Sequence, residues 1–101
     1  MSRTSVIRYR TRPDAADENV RLVEAVYAAL AEARPAGLEY ATYRLDDGVS
    51  FVHIASLPDN ENPLGALPAF AEFQREISER CVEQPMPSGA TVVGSYRSTP
   101  G

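Results

Sequence analysis

Along Ser5–Thr11, Ile7 and Tyr9 are interleaved with Arg8 and Arg10. A period of two with charge on one side predicts a strand with one buried face. Arg12-Pro13-Asp14 breaks the alternation, and the period then changes. Val20, Val23, Tyr27 and Leu30 recur at helical spacing, with Leu22, Val26 and Ala29 widening the stripe. This predicts a helix that Asp14 can cap, with Asp17 and Glu18 complementing its N-terminal dipole. It should run to about Ala33, where Pro35-Ala36-Gly37 stops it. Leu38–Leu45 and Val49–Leu57 read as two strands joined by Asp46-Asp47-Gly48, Gly48 supplying the positive φ of a tight hairpin. After the polar run PDNENP, Leu67, Phe70, Phe73, Ile77 and Cys81 mark the apolar face of a second helix, with Pro63 or Pro68 suited to its first position. Gln84–Gly89, rich in Pro, Ser and Gly, ends that helix, and Ala90–Arg97 is predicted to be the last strand.

The order β-α-β-β-α-β predicts an α+β, ferredoxin-like fold, in which two helices cover one face of a four-stranded antiparallel sheet. Residues 1–101 make a single domain of this kind. Arginines on a central strand would each need a partner beneath helices. Ile7 and Tyr9 are therefore expected under the helices, and Arg8 and Arg10 on the open face. A glycine bulge in the hairpin would place Tyr43 opposite Phe51 and Ala41 opposite His53. Ala41, Tyr43, Phe51, His53 and Ala55 would then join the helix-facing set, leaving Val6, Tyr40, Thr42, Val52 and Ile54 on the other side. That second face is too apolar for water, and its simplest partner is a second copy of the same sheet.

Charge and composition narrow the chemistry. Ten basic against fourteen acidic residues give a net charge of −4, which disfavours phosphate backbones and anionic membranes. Every basic residue is Arg, so Schiff-base and Lys-nucleophile chemistry is excluded. One His and one Cys cannot build a zinc site alone, and there is no P-loop, G-x-G-x-x-G or G-x-S-x-G pattern. The opening MSRTSVIRYR lacks the apolar core of a secretory leader, and no run approaches the ~20 apolar residues of a membrane span. A cytoplasmic protein is expected.

The element order, the apolar residues on both sheet faces and the segments FVHIASL and LPAFAEFQREI resemble the dimeric α+β barrel superfamily, and within it the antibiotic-biosynthesis-monooxygenase-like group. The resemblance spans residues 5–97. It implies a homodimer formed through the open sheet face and a pocket between helices and sheet. It also implies oxidation of an electron-rich aromatic or quinol-type substrate by O₂ without a bound cofactor. The haem-degrading relatives resemble an Asn-Trp-His set. This chain has no Trp and carries its histidine on a strand, so no haem site is carried over.

On that reading His53 is the candidate base, since a neutral imidazole can accept a phenolic proton. Asn19 falls inside the arc of Val23, Val26 and Leu30, and Gln74 lies between Leu67, Phe70 and Cys81 on the second helix wheel; both can orient a substrate oxygen. Tyr9 and Tyr43 are candidate ring-stacking walls. The alternatives are a packed core histidine, an Asn19 bonded to nearby backbone, and core tyrosines whose hydroxyls find partners. Cys81 reads as a buried, inert thiol. Arg8, Arg10, Arg44 and Arg97 read as interface ion-pair partners. Two other classes remain. One is a non-catalytic dimeric scaffold, whose core beneath the helices would be filled. The other is an RNA-recognition module, whose third-strand signature DGVSFVHI matches at Gly48, Phe51, Val52 and loosely Ile54. That module needs Phe51 on the open face.

Overall fold

The computed structural model describes residues 3–58 and 61–96. Strand β1 (Arg3–Thr11) leads through a 3₁₀ turn, Pro13–Ala15, into helix α1 (Ala16–Ala33). Strands β2 (Glu39–Arg44) and β3 (Ser50–Leu57) follow, then two short helices, α2 (Pro68–Gln74) and α3 (Ile77–Arg80), and strand β4 (Cys81–Ala90). The sheet is antiparallel with order β2-β3-β1-β4. This is the expected ferredoxin-like topology.

Pairing of Ile7 with His53 and of Tyr9 with Phe51 puts all four under the helices, as the alternation along β1 predicts. The core there joins Tyr9, Val23, Val26, Phe51, Ala55, Leu64 and Phe73, with Tyr9 and Phe51 stacked at 5.4 Å. Val52 and Ile54 face the open side.

Strand β2 departs from the expectation. Thr42 pairs with His53, and Tyr43 with Val52. The reason lies in the turn. The Asp47 carboxylate accepts the backbone N–H groups of Val49 and Ser50 at 2.9 and 2.8 Å and the Ser50 hydroxyl at 2.6 Å. Leu45 N–H closes on Ser50 C=O at 2.8 Å. The connection therefore has an even number of residues and no bulge, with Gly48 at φ 80°. A register change of one residue turns every side chain of the strand over. Tyr40 and Thr42 thus lie beneath the helices, and Ala41 and Tyr43 on the open face.

The second helical segment is also shorter than the apolar stripe suggests. Arg75 is extended and Glu76 adopts the left-handed region at φ 62°, which breaks the helix into α2 and α3. Cys81 opens β4 rather than closing a helix. Strand β4 takes in Pro85 and Pro87, which lie in the segment expected to end the second helix. A proline is tolerated here because β4 is an edge strand bonded only to β1, with register shifts around Arg8 and Arg10. Residues 91–96 form no strand, and Arg97 lies outside the described residues. No helix among the described residues is long and apolar enough to cross a membrane.

Candidate functional site

A cavity of about 510 Å³ lies between the sheet and α2–α3. Ile7, Leu57, Leu64, Phe70 and Phe73 supply much of its apolar wall, and Pro85 and Pro87 close it from the edge strand. Its polar groups include Tyr40, His53, Asn62 and Gln74, and among the described residues no Asp, Glu or Arg lines it. Gln74 stands at the mouth, on the exposed side of α2. The scaffold alternative called for a filled core; this region is open and large enough for a small organic molecule.

His53 is 3% exposed, yet both ring nitrogens are engaged. Nε2 lies 2.7 Å from the Tyr9 hydroxyl. Nδ1 lies 2.6 Å from the Tyr40 hydroxyl and 3.2 Å from that of Thr42. The contacts continue on both sides. Asn19 Nδ2 donates to the Tyr9 hydroxyl at 2.8 Å, and Arg80 Nε donates to Asn19 Oδ1 at 3.2 Å. The Thr42 and Tyr27 hydroxyls meet at 2.9 Å, and the Tyr27 ring stacks on that of Tyr40. One buried polar chain therefore runs from α3 across α1 and three strands to the cavity wall. Burial pushes His53 down to about 4 and Tyr40 up to about 12, and raises Tyr9 further. At neutral pH the imidazole and both phenols are uncharged.

Arg80 carries the charge of this chain. It is buried, and no carboxylate among the described residues pairs with it. Its guanidinium donates instead to the carbonyls of Phe73 at 2.6 Å and Arg75 at 3.1 Å and lies over the Phe73 ring. The break after α2 exposes those two carbonyls, and a cation suits a helix C-terminus. The kink and the buried arginine are thus one feature.

The expected site residues divide accordingly. His53 and Gln74 line the cavity. Tyr9 and Asn19 are buried behind it; Asn19, 0% exposed, bonds to Tyr9 and Arg80 rather than to nearby backbone. Tyr43 is a correction: the bulge-free turn places it on the open face, 53% exposed, away from the cavity. Tyr40, Thr42, Tyr27 and Arg80 were not foreseen. Turn parity hid Tyr40 and Thr42. Arg80 had a visible signal, since it follows Phe73 and Ile77 at helical spacing on an apolar stripe. Cys81 is buried, and burial raises its thiol. Phe51 lies beneath the helices, 1% exposed, where it cannot serve as an open-face base-stacking platform.

No family model matches the sequence, and no curated protein is significantly similar to it. Solved structures are similar in fold. Rv0793 from Mycobacterium tuberculosis superposes with a TM-score of 0.74 at 16% identity, over 96% of this chain and 100% of that one. The likeness is one of fold: a four-stranded antiparallel sheet with helices on one face. SnoaB, a cofactor-independent oxygenase from Streptomyces nogalater, matches with a TM-score of 0.69 at 20% identity, covering 96% of this chain and 98% of its own. A candidate antibiotic biosynthesis monooxygenase from Bacteroides thetaiotaomicron reaches 0.80 at 11% identity, covering 98% and 96%. The chain therefore shares its α+β, ferredoxin-like fold with these monooxygenase-like structures at 11–20% identity.

Proposed function

We propose that the chain binds a small aromatic or quinol-type molecule in the cavity beneath α2 and α3 and acts on it as a cofactor-independent monooxygenase. The observation that carries this reading is the cavity itself: about 510 Å³, largely apolar, with Tyr40 and His53 meeting on its wall. An aromatic ring fits such walls, and one or two ring oxygens can reach the polar edge. The likeness in fold to SnoaB, a cofactor-independent oxygenase, supports the same reaction class. In that class an electron-rich phenol passes four electrons to O₂. One oxygen atom enters the ring and the other leaves as water, so a phenol becomes a quinone.

In this reading His53 is the acid–base group and passes a proton toward the ligand oxygen through Tyr40, whose hydroxyl lies 2.6 Å from Nδ1. Gln74 orients a ligand oxygen at the mouth. Tyr9 and Asn19 are positioning residues that hold the imidazole. The active form is a homodimer joined through the open sheet face, where Val6, Tyr43, Val52 and Ile54 are the apolar positions.

Oxygen uptake with anthrone or 1,4-naphthohydroquinone tests the proposal. Uptake above the uncatalysed rate, with one atom of labelled O₂ in the product, is expected. His53→Ala should lower that rate by roughly 100-fold, the usual range for an acid–base group, while ligand binding persists. Binding without turnover in the wild-type chain would remove the monooxygenase assignment, and absence of binding would remove both.

A further inference from the structure

The hydrogen-bond chain behind the cavity has a direction. A guanidinium only donates, so the Asn19 atom facing Arg80 is its oxygen, and the atom facing Tyr9 is its NH₂ group. The Tyr9 oxygen thus accepts a hydrogen bond from the Asn19 NH₂ group. Its own buried O–H is left to donate, and His53 Nε2, 2.7 Å away, is the acceptor. A neutral imidazole that accepts at Nε2 carries its proton on Nδ1. That proton goes to the Tyr40 oxygen at 2.6 Å. The Tyr40 O–H is then turned away from His53. A ligand oxygen in the cavity can take that proton.

We infer that the chain Arg80–Asn19–Tyr9–His53–Tyr40 is directed from the buried guanidinium to the cavity, so that the site presents a phenolic donor and selects ligands by an acceptor oxygen, a phenolate or a quinone carbonyl. This deepens the reading above and rests on it for the aromatic class of ligand. Tyr40 is then the group that touches the ligand, and Asn19 and Arg80 are positioning residues that set the polarity. Hydrogen bonds aligned in one sense polarise one another, and a charge at their head strengthens the last donor. Among the described residues the cavity wall adds no carboxylate to repel an anion. A phenol would be held as its anion, its proton released to water, in the form that gives up electrons to O₂ most readily.

His53 is the only histidine, so its nitrogen NMR signals need no assignment. The wild-type chain at neutral pH should show Nδ1–H, and an Nε2–H tautomer would overturn the inference without any variant. Asn19→Asp should reverse the chain. A carboxylate accepts from both Arg80 and Tyr9, which leaves the Tyr9 oxygen to accept from Nε2–H. The tautomer should switch in that variant, with folding checked by circular dichroism; a folded variant that keeps Nδ1–H would overturn the direction. For the cavity the probe is 4-nitrophenol, titrated above and below its own ionisation. The wild type should bind the anion more tightly than the neutral form. Tyr40→Phe should lose roughly tenfold or more of the anion's affinity and little of the neutral form's. Preference for the neutral phenol in the wild type would overturn the selection by acceptor oxygen. If neither form binds while the tautomer is Nδ1–H, the direction of the chain is upheld and the aromatic-ligand reading is what fails.

Discussion

His53 shows how burial sets the behaviour of a single side chain. Its imidazole ordinarily titrates near 6.5 and is pushed to about 4 in the folded chain by desolvation. The unfolded chain therefore takes up a proton that the folded chain refuses between those values. Stability is fully present above pH 6.5, falls as the pH drops toward 4, and levels below it. The loss is roughly 3 kcal/mol. Urea unfolding at pH 7 and pH 4 should show it in the wild type, and His53→Gln should remove most of the difference. Arg80 makes the opposite demand. Arg80→Met should cost about 3 kcal/mol, because Asn19 Oδ1 and two helix-end carbonyls lose their donor. In thermal melts, a loss below 1 kcal/mol would show that water or a shifted α3 satisfies those groups. The lone histidine on its strand was legible as a buried, helix-facing residue from position alone. Its partners were not, because Tyr40 lies thirteen residues away on another strand and Arg80 on another helix.

At the scale of the elements, period and punctuation carried most of the fold. The alternation along β1, the stripe on α1 and Gly48 in the hairpin each predict what is found. The misses share a cause: local signals do not count residues across a turn or know which strand lies at an edge. One carboxylate, Asp47, holds the hairpin loop, and the parity it sets moves Tyr40 to the cavity and Tyr43 away from it. Asp47 is itself held down to about 2, chiefly by the Ser50 hydroxyl and then by the two backbone N–H groups. Helix α1 ends on Arg34 in the left-handed region, φ 47°, with its N–H bonded to Leu30 C=O at 2.8 Å. Glycine adopts that conformation without strain. Arg34→Gly should stabilise the chain by about 1 kcal/mol and raise Tm by about 5 °C. An unchanged or lower Tm would mean that the extra freedom of glycine in the unfolded chain offsets the relieved strain.

At the scale of the molecule, the open sheet face is the unfinished surface. Val52 and Ile54 lie on it, Ile54 37% exposed, and Val92, Val93 and Tyr96 are exposed beyond β4. Arg10 reaches Glu83 at 3.0 Å, giving that face a polar margin. If two copies pack sheet to sheet, Ile54→Asp should convert the dimer to a monomer, because a buried unpaired carboxylate costs several kcal/mol at an interface. Sedimentation or native mass measurement reads the outcome directly, and a wild-type monomer at micromolar concentration would remove the dimer.

The amino-acid sequence determined the order of the elements, the helix-facing placement of Ile7, Tyr9, Phe51 and His53, and the apolar character of both sheet faces. Each of these follows from periodicity within one segment, where neighbouring residues answer to the same backbone geometry. The tertiary structure alone decided which face of β2 meets the helices, where the second helix breaks, and that Pro85 and Pro87 belong to a strand. It also decided that Arg80, Asn19, Tyr9, His53 and Tyr40 form one line. Those features depend on contacts between segments far apart in the chain, and no local pattern encodes the distance between them.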